Sequence, residues 1–206
     1  MRLRAIIDRK PLLWALLAIP ALLMIRRAFE ADTYFEDLLH PSGEWSARLI
    51  ILALMLTPLS MLLPGQPWVK WLLRRRRSFG VAAFGYALLH LLFYLLEMQT
   101  LAGILAEIGA LGIWTGWAAF LLMLPLALTS NDFAMRALKA GWKRLQRLAY
   151  PAALLTLVHW MVVHDNIVPA LLNFAPLALL ELWRVNRSLR GHRPAATHTK
   201  TNLENA

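Results

Sequence analysis

The chain has 206 residues, of which 59% are hydrophobic and 17% charged, and its 22 Lys and Arg against 12 Asp and Glu give a formal charge of +10. Soluble domains average about 25% charged residues, so this apolar and basic excess points instead to a small membrane protein with its positive charge in the loops. The absence of Cys excludes disulfides, thiolate metal sites, Cys-ligated iron–sulfur clusters and covalently attached c-type haem.

Six runs are apolar enough to be read as membrane spans, which need about 17–25 residues including interfacial ones. They are Pro11 to Ile25, Ala47 to Leu63, Phe79 to Leu96, Ile108 to Leu128, Leu148 to Val163 and Ile167 to Leu180. A basic segment precedes the first run, but Arg26 and Arg27 follow it where a signal peptide would carry small residues. The first run is therefore read as a retained helix. Arg48 lies near the start of the second run, within snorkelling reach of the headgroups. Pro58, Pro125, Pro151 and Pro176 fall inside predicted helices, where they can kink them. Beyond the sixth run the chain is polar, with Pro194, His192 and His198, and reads as a disordered tail. The predicted organisation is an all-α membrane protein: a cytoplasmic segment over 1–10, a six-helix transmembrane bundle over 11–186 and a disordered cytoplasmic tail over 187–206.

The charges test that count. Nineteen basic residues fall before the first helix, between helices two and three, between helices four and five, and in the tail; two, Arg26 and Arg27, fall in the alternate connections. Those alternate connections carry Glu30, Asp32, Glu36, Asp37, Glu44, Glu97, Glu107 and Asp165. The positive-inside rule then places both termini in the cytoplasm. The basic runs, such as Arg74 to Arg77, have no interleaved aromatic platform for nucleic acid, and membrane orientation and anionic lipid account for them. Trp68, Trp71, Trp142 and Trp183 sit at predicted cytoplasmic borders, as interfacial aromatics do.

Two histidines stand deep inside predicted helices. His90 lies 13 residues beyond Arg77, and His159 lies 12 beyond Arg147, roughly 19 and 18 Å along a helix at 1.5 Å per residue. Both helices run outward, so the imidazoles reach nearly the same depth. Two imidazoles on separate helices can clamp one tetrapyrrole from opposite faces, which leaves no open coordination position and suits electron transfer. The competing reading is that each bridges helices through a hydrogen bond to a hydroxyl or carbonyl. His164, five residues beyond His159, is shifted by about 7.5 Å along the axis, so it cannot share the same iron from that helix. It is read as an interfacial His, an alternative ligand or a docking residue. His40, before Pro41 in the first outer loop, is read as a surface residue. No HExxH, GxSxG, Walker or GxGxxG pattern is present, so the familiar hydrolase and nucleotide-binding motifs are missing.

Several segments together carry a family resemblance: Ser42-Gly43-Glu44-Trp45-Ser46-Ala47-Arg48, Leu56-Thr57-Pro58-Leu59, Arg76-Arg77-Ser78-Phe79-Gly80, Tyr86-Ala87-Leu88-Leu89-His90 with Tyr94, Leu126-Ala127-Leu128-Thr129-Ser130, and Trp142 to Tyr150 followed by His159. In this order they resemble the YedZ/MsrQ family, haem-binding membrane subunits of periplasmic methionine sulfoxide reductase systems within the ferric reductase-like transmembrane superfamily. The resemblance implies His90 and His159 as axial ligands of a b-type haem. A third family histidine corresponds to Gln146, whose amide is a poor iron ligand, so one haem is expected; Gln146 is left near haem or flavin. The resemblance also implies FMN as a second cofactor and a heterodimer with a periplasmic molybdopterin catalytic subunit. Its electrons would come from a cytoplasmic flavin reductase or the quinone pool. The chain would then be a multi-pass bacterial inner-membrane electron conduit without a substrate-reducing site of its own, serving repair of methionine sulfoxide. The basic inner loops are expected to meet the flavin phosphate and the acidic loop from Glu30 to Glu44 to meet the partner. The alternatives are a ferric reductase-like b-type cytochrome with another acceptor, or a non-haem transporter or scaffold with helix-bridging histidines.

Overall fold

The structure is a computed structural model that describes residues 10–164 and 166–191. The segment before Lys10, Asp165, and the tail with His192 and His198 lie outside the described residues. Among the described residues there are nine α-helices: α1 (Lys10–Arg27), α2 (Glu36–Leu62), α3 (Pro67–Met98), α4 (Leu101–Glu107), α5 (Leu111–Leu128), α6 (Asp132–Leu138), α7 (Ala140–Gln146), α8 (Ala149–Val163) and α9 (Val168–Gly191).

All six apolar runs fall on helices, and four helices are long and apolar enough to cross a membrane by length and composition: α2, α3, α5 and α9 over Val168–Arg190. Of the other two, α1 has 18 residues that include Lys10, Arg26 and Arg27, and α8 has 15. Leu88 and Leu92 on α3, Leu121 on α5, Leu154 on α8 and Leu172 and Leu179 on α9 all point outward and are exposed. An apolar surface of that extent suits acyl chains rather than water.

Several helices extend beyond the apolar runs. Glu36 and Asp37, expected in a loop, form the first turn of α2, where carboxylates complement the helix dipole. Pro67 sits at the start of α3, a position that tolerates its missing N–H. The Arg74 to Arg77 run therefore lies on α3 rather than in a connection. Arg75 is buried there, with its guanidinium 5.3 Å from the centre of the Trp71 ring one turn back.

The bundle is built from two antiparallel pairs, α2 with α3 and α5 with α8. Small residues line the first seam: Ser42, Ser46 and Ala47 on α2 and Ala82 and Ala83 on α3 are all buried. The Ser46 hydroxyl donates to the Ala83 carbonyl at 2.9 Å. Small residues let backbones approach and exchange such bonds. Buried Ala119 on α5 and Ala152 and Ala153 on α8 repeat the pattern in the second pair. Helix α9 covers α2 and α8, tied by Arg48 to Asn173 at 3.3 Å. Helix α1 leans on α3.

The antiparallel arrangement separates charge. One end of the bundle carries Glu30, Glu36, Glu97 and Glu107; the other carries Arg74 to Arg77, Lys139, Lys143, Arg144 and Arg147. These are its acidic and basic ends. At the basic end Arg77 pairs with Asp132 at 2.7 Å, joining α3 to α6.

Candidate functional site

The two helix pairs face one another across a cavity of about 340 Å³, within the ~300–1,000 Å³ usual for ligand sites. His90 of α3 and His159 of α8 both line it. Their ring centroids are 6.0 Å apart and their planes 82° apart. The bundle therefore brings together, from different pairs, the two residues that the sequence places at equal depth.

Each imidazole is seated on a glycine of its partner helix. Gly43 of α2 lies under His90, so that a Cβ there would stand 3.2 Å from Nδ1. Gly116 of α5 lies under His159, with the corresponding distance 2.8 Å. Each ring is also oriented by its Nδ1. In His90 that nitrogen is 3.0 Å from the Leu39 carbonyl and 3.3 Å from the Ser42 hydroxyl oxygen. In His159 it is 2.7 Å from the Gly112 carbonyl. The Ser42 hydroxyl donates to the Leu38 carbonyl at 2.7 Å, leaving its oxygen to accept from His90. A carbonyl accepts only, so Nδ1 carries the proton in both rings and Nε2 keeps the lone pair. A metal-binding histidine has this tautomer, with its other ring N–H held by a backbone carbonyl.

The residues fit a bis-imidazole tetrapyrrole. A transition metal–imidazole bond is about 2 Å and the nitrogen lies about 1.1 Å from its ring centroid, so two imidazoles on opposite sides of one metal have centroids roughly 6 Å apart. The 6.0 Å separation matches. Two further residues of the wall, Tyr94 and Trp160, each bury a polar atom, the hydroxyl and the indole nitrogen, with no hydrogen-bond partner. Such orphans are uncommon in native interiors and call for a reason.

His164 caps α8 and also lines the cavity, but at its acidic end. Its Nε2 is 3.1 Å from Nδ1 of His40, with ring centroids 4.3 Å apart. His40 is exposed as expected, yet it stands on α2 rather than in a loop. Gln146 ends α7 and is not part of the cavity wall. Its amide donates to the Leu126 carbonyl and the Thr129 hydroxyl, both at 3.3 Å. Sequence reasoning missed the glycine seats and the His40–His164 pair. Gly43 and Gly116, inside otherwise apolar helices, were the available signal for the seats, since Gly in a helix costs about 1 kcal/mol against Ala and calls for a packing reason.

Residues 42–157 match the family described as ferric reductase like transmembrane component; the match takes in both glycine seats and His90 and stops short of His159. Among curated proteins, the chain is 40% identical over 176 residues to a protein of Xanthomonas campestris pv. campestris strain 8004, covering 78% of this chain and 73% of that one. That relative is named "Protein-methionine-sulfoxide reductase heme-binding subunit MsrQ". Proteins with the same name from Xanthomonas axonopodis pv. citri and Azospira oryzae are 40% and 38% identical, covering 76% and 80% of this chain and 72% and 71% of their own. No solved structure matches.

Proposed function

The chain belongs to the ferric reductase-like transmembrane family, with MsrQ heme-binding subunits among its relatives, and from that premise we propose that it carries electrons through one b-type haem held by His90 and His159. It is a multi-pass membrane protein. The observation that carries the proposal is the meeting of the two rings, 6.0 Å apart, with both Nδ1 atoms committed to the protein.

A haem bound there supplies one-electron chemistry. The chain's own residues do the rest. The Leu39 and Gly112 carbonyls accept the Nδ1 protons, fixing each ring and raising the basicity of Nε2. His90 and His159 would hold the haem between them, an arrangement that would suit electron transfer rather than oxygen chemistry. Buried Ala47, Ala119 and Met123 line the wall and keep water from the macrocycle.

The proposed topology has six spans with both termini cytoplasmic in a bacterial inner membrane, supported by the separation of acidic and basic ends. Electrons would enter at the basic end, from a cytoplasmic flavin reductase or quinone, and leave at the acidic end. The proposed acceptor is the catalytic subunit of a methionine sulfoxide reductase, since the relatives are named as heme-binding subunits of a protein-methionine-sulfoxide reductase; its periplasmic place and its molybdopterin rest on the family resemblance alone. FMN rests on the resemblance alone. The exposed cations of α6 and α7 supply charge for its phosphate, but Arg77 is already paired with Asp132 and Arg76 with Thr57 at 3.2 Å. No residue is therefore assigned to FMN.

The optical spectrum of the purified protein tests the reading. A reduced low-spin b-type band, one haem per chain, and its loss in both H90A and H159A are expected. A protein without haem from haem-replete cells, or full haem in both variants, overturns it. A transporter or scaffold with helix-bridging histidines would give the first of those results.

A further inference from the structure

The connection between α5 and α8 is made of the two short helices α6 and α7, and little of the bundle covers α6. Phe133 is 76% exposed, and Met135 and Leu138 are each 41% exposed. Asp132 and Arg136, one turn apart, share the remaining face, and Asp132 turns it toward α3 through its 2.7 Å pair with Arg77. The apolar face therefore points away from the bundle. Helix α7 is seated the other way. Its Trp142 indole donates to the Thr129 carbonyl at 2.9 Å, Trp142 and Leu145 are half-buried, and Lys143 and Arg144 are exposed.

Depth decides what meets the apolar face of α6. Arg77, which holds α6, is 21 residues from Met98 at the end of α3, or about 32 Å at 1.5 Å per residue. The hydrocarbon core of a bilayer is about 30 Å thick. With the acidic end of α3 at one border, α6 starts at the other, and α3 runs on for ten more residues to Pro67. A helix at that level, with apolar side chains outward and cations beside it, is built to lie in the plane of the interface.

The turn between the two helices is an independent observation. Lys139 has φ 47° and ψ −120°, a conformation that glycine adopts without strain and other residues do not. Such strain persists where the structure needs the side chain, and what Lys139 adds over glycine is an exposed cation. Among the described residues, Lys139, Lys143 and Arg144 form no ion pair with a carboxylate.

We infer that α6 and α7 form an interfacial anchor for anionic phospholipid. Phe133, Met135 and Leu138 enter the acyl region of the leaflet at the basic end, and Lys139, Lys143 and Arg144 hold the phosphate groups. FMN also offers a phosphate, but it gives no account of an apolar face at the hydrocarbon border, whereas a phospholipid meets both faces. The bound leaflet braces the connection between α5 and α8, the pair that carries Gly116 and His159. The inference requires the membrane reading and is independent of the haem.

Because the chain contains no Cys, A137C supplies a single thiol on the exposed face between Phe133 and Leu138. Protein with a fluorophore at that position is placed in nanodiscs of phosphatidylcholine and phosphatidylglycerol. It is then quenched with aqueous iodide or with either lipid carrying an acyl-chain nitroxide. Nitroxide lipid should quench more strongly than iodide. The two lipid quenching curves should show a preference for phosphatidylglycerol, by up to about fivefold for each cation. In the K139Q/K143Q/R144Q background the two lipids should become equal. K139G should unfold at a higher temperature than the parent protein, since the strain is gone, yet show a weaker preference for phosphatidylglycerol. Stronger quenching by iodide overturns the inference, because the face then meets water or another protein. So does a preference that survives the triple substitution or stays complete in K139G. Loss of the preference on adding FMN also overturns it and assigns the cations to the flavin phosphate.

Discussion

Gly116 lies so close to His159 that a Cβ built on it would stand 2.8 Å from Nδ1 and 2.9 Å from Cε1 of the ring. Contacts that short force something to move, and the same Nδ1 is tied to α5 by its 2.7 Å hydrogen bond to the Gly112 carbonyl, one turn earlier on that helix, so the ring cannot shift without losing that bond. G116A should therefore displace the imidazole, at a cost of about 1–3 kcal/mol typical of overpacking. Haem content per purified chain should fall sharply. G43A, whose Cβ would meet His90 at 3.2 and 3.3 Å, should keep more haem because a small adjustment relieves it. Equal haem content in G116A and wild type would show that Gly116 is not a seat.

The meeting of His90 and His159 was legible in the sequence because the arginines bordering the helices serve as depth markers and the charge alternation suggests direction. Spacing from Arg77 and Arg147 gave equal depth without any knowledge of packing. The acidic end of the cavity was not legible. Glu36, Asp37 and Pro41 look like loop residues in a linear reading, yet acidic residues are favoured in a helix's first turn, and α2 begins with them. That places His40 three residues before Gly43 on a face that points into the cavity. Its partner, His164, is 124 residues away, and no local period reports such a pairing. Likewise, the Arg74 to Arg77 run reads as a loop because of its charge, although α3 carries it at an end where long cationic side chains reach the interface.

At the basic end, the Arg77 guanidinium donates to Asp132 and holds its carboxyl below the usual aspartate value, through the hydrogen bond first and the charge second. A carboxyl whose folded pKa is lowered contributes stability above its unfolded pKa, about 3.9, and loses it as pH falls through the folded value. Asp132 is exposed, so the effect should be small and weakened by salt. Thermal unfolding in detergent should give D132N a slightly lower midpoint than wild type at pH 7. The gap should close in 1 M salt and again once the pH falls below the lowered folded pKa of Asp132. A gap that persisted in acid would mean that Asp132 acts through packing rather than charge.

Tyr86 joins α1 to the rest of the bundle. Its hydroxyl donates to the Leu17 carbonyl at 2.7 Å and accepts from the Ala21 N–H at 3.1 Å. Those two backbone groups are the ends of one i→i−4 step, so the hydroxyl enters the hydrogen-bond ladder of α1 next to Pro20, where an inserted side chain can bend a helix. The ring itself is buried and stacks on Trp45 at 5.8 Å, so removal of the oxygen alone should leave packing against α2 intact. Little else holds α1, in which only Leu13 and Met24 are buried. Y86F should therefore cost about 0.5–1.5 kcal/mol, expressed as local opening of α1 rather than global unfolding. Amide exchange between Leu17 and Ile25 should accelerate, while haem content and the low-spin spectrum stay at wild-type values because His90 and His159 lie on other helices. Exchange unchanged in α1 would show that the hydroxyl is not what secures it, and a loss of haem would show that Tyr86 supports the axial pair instead.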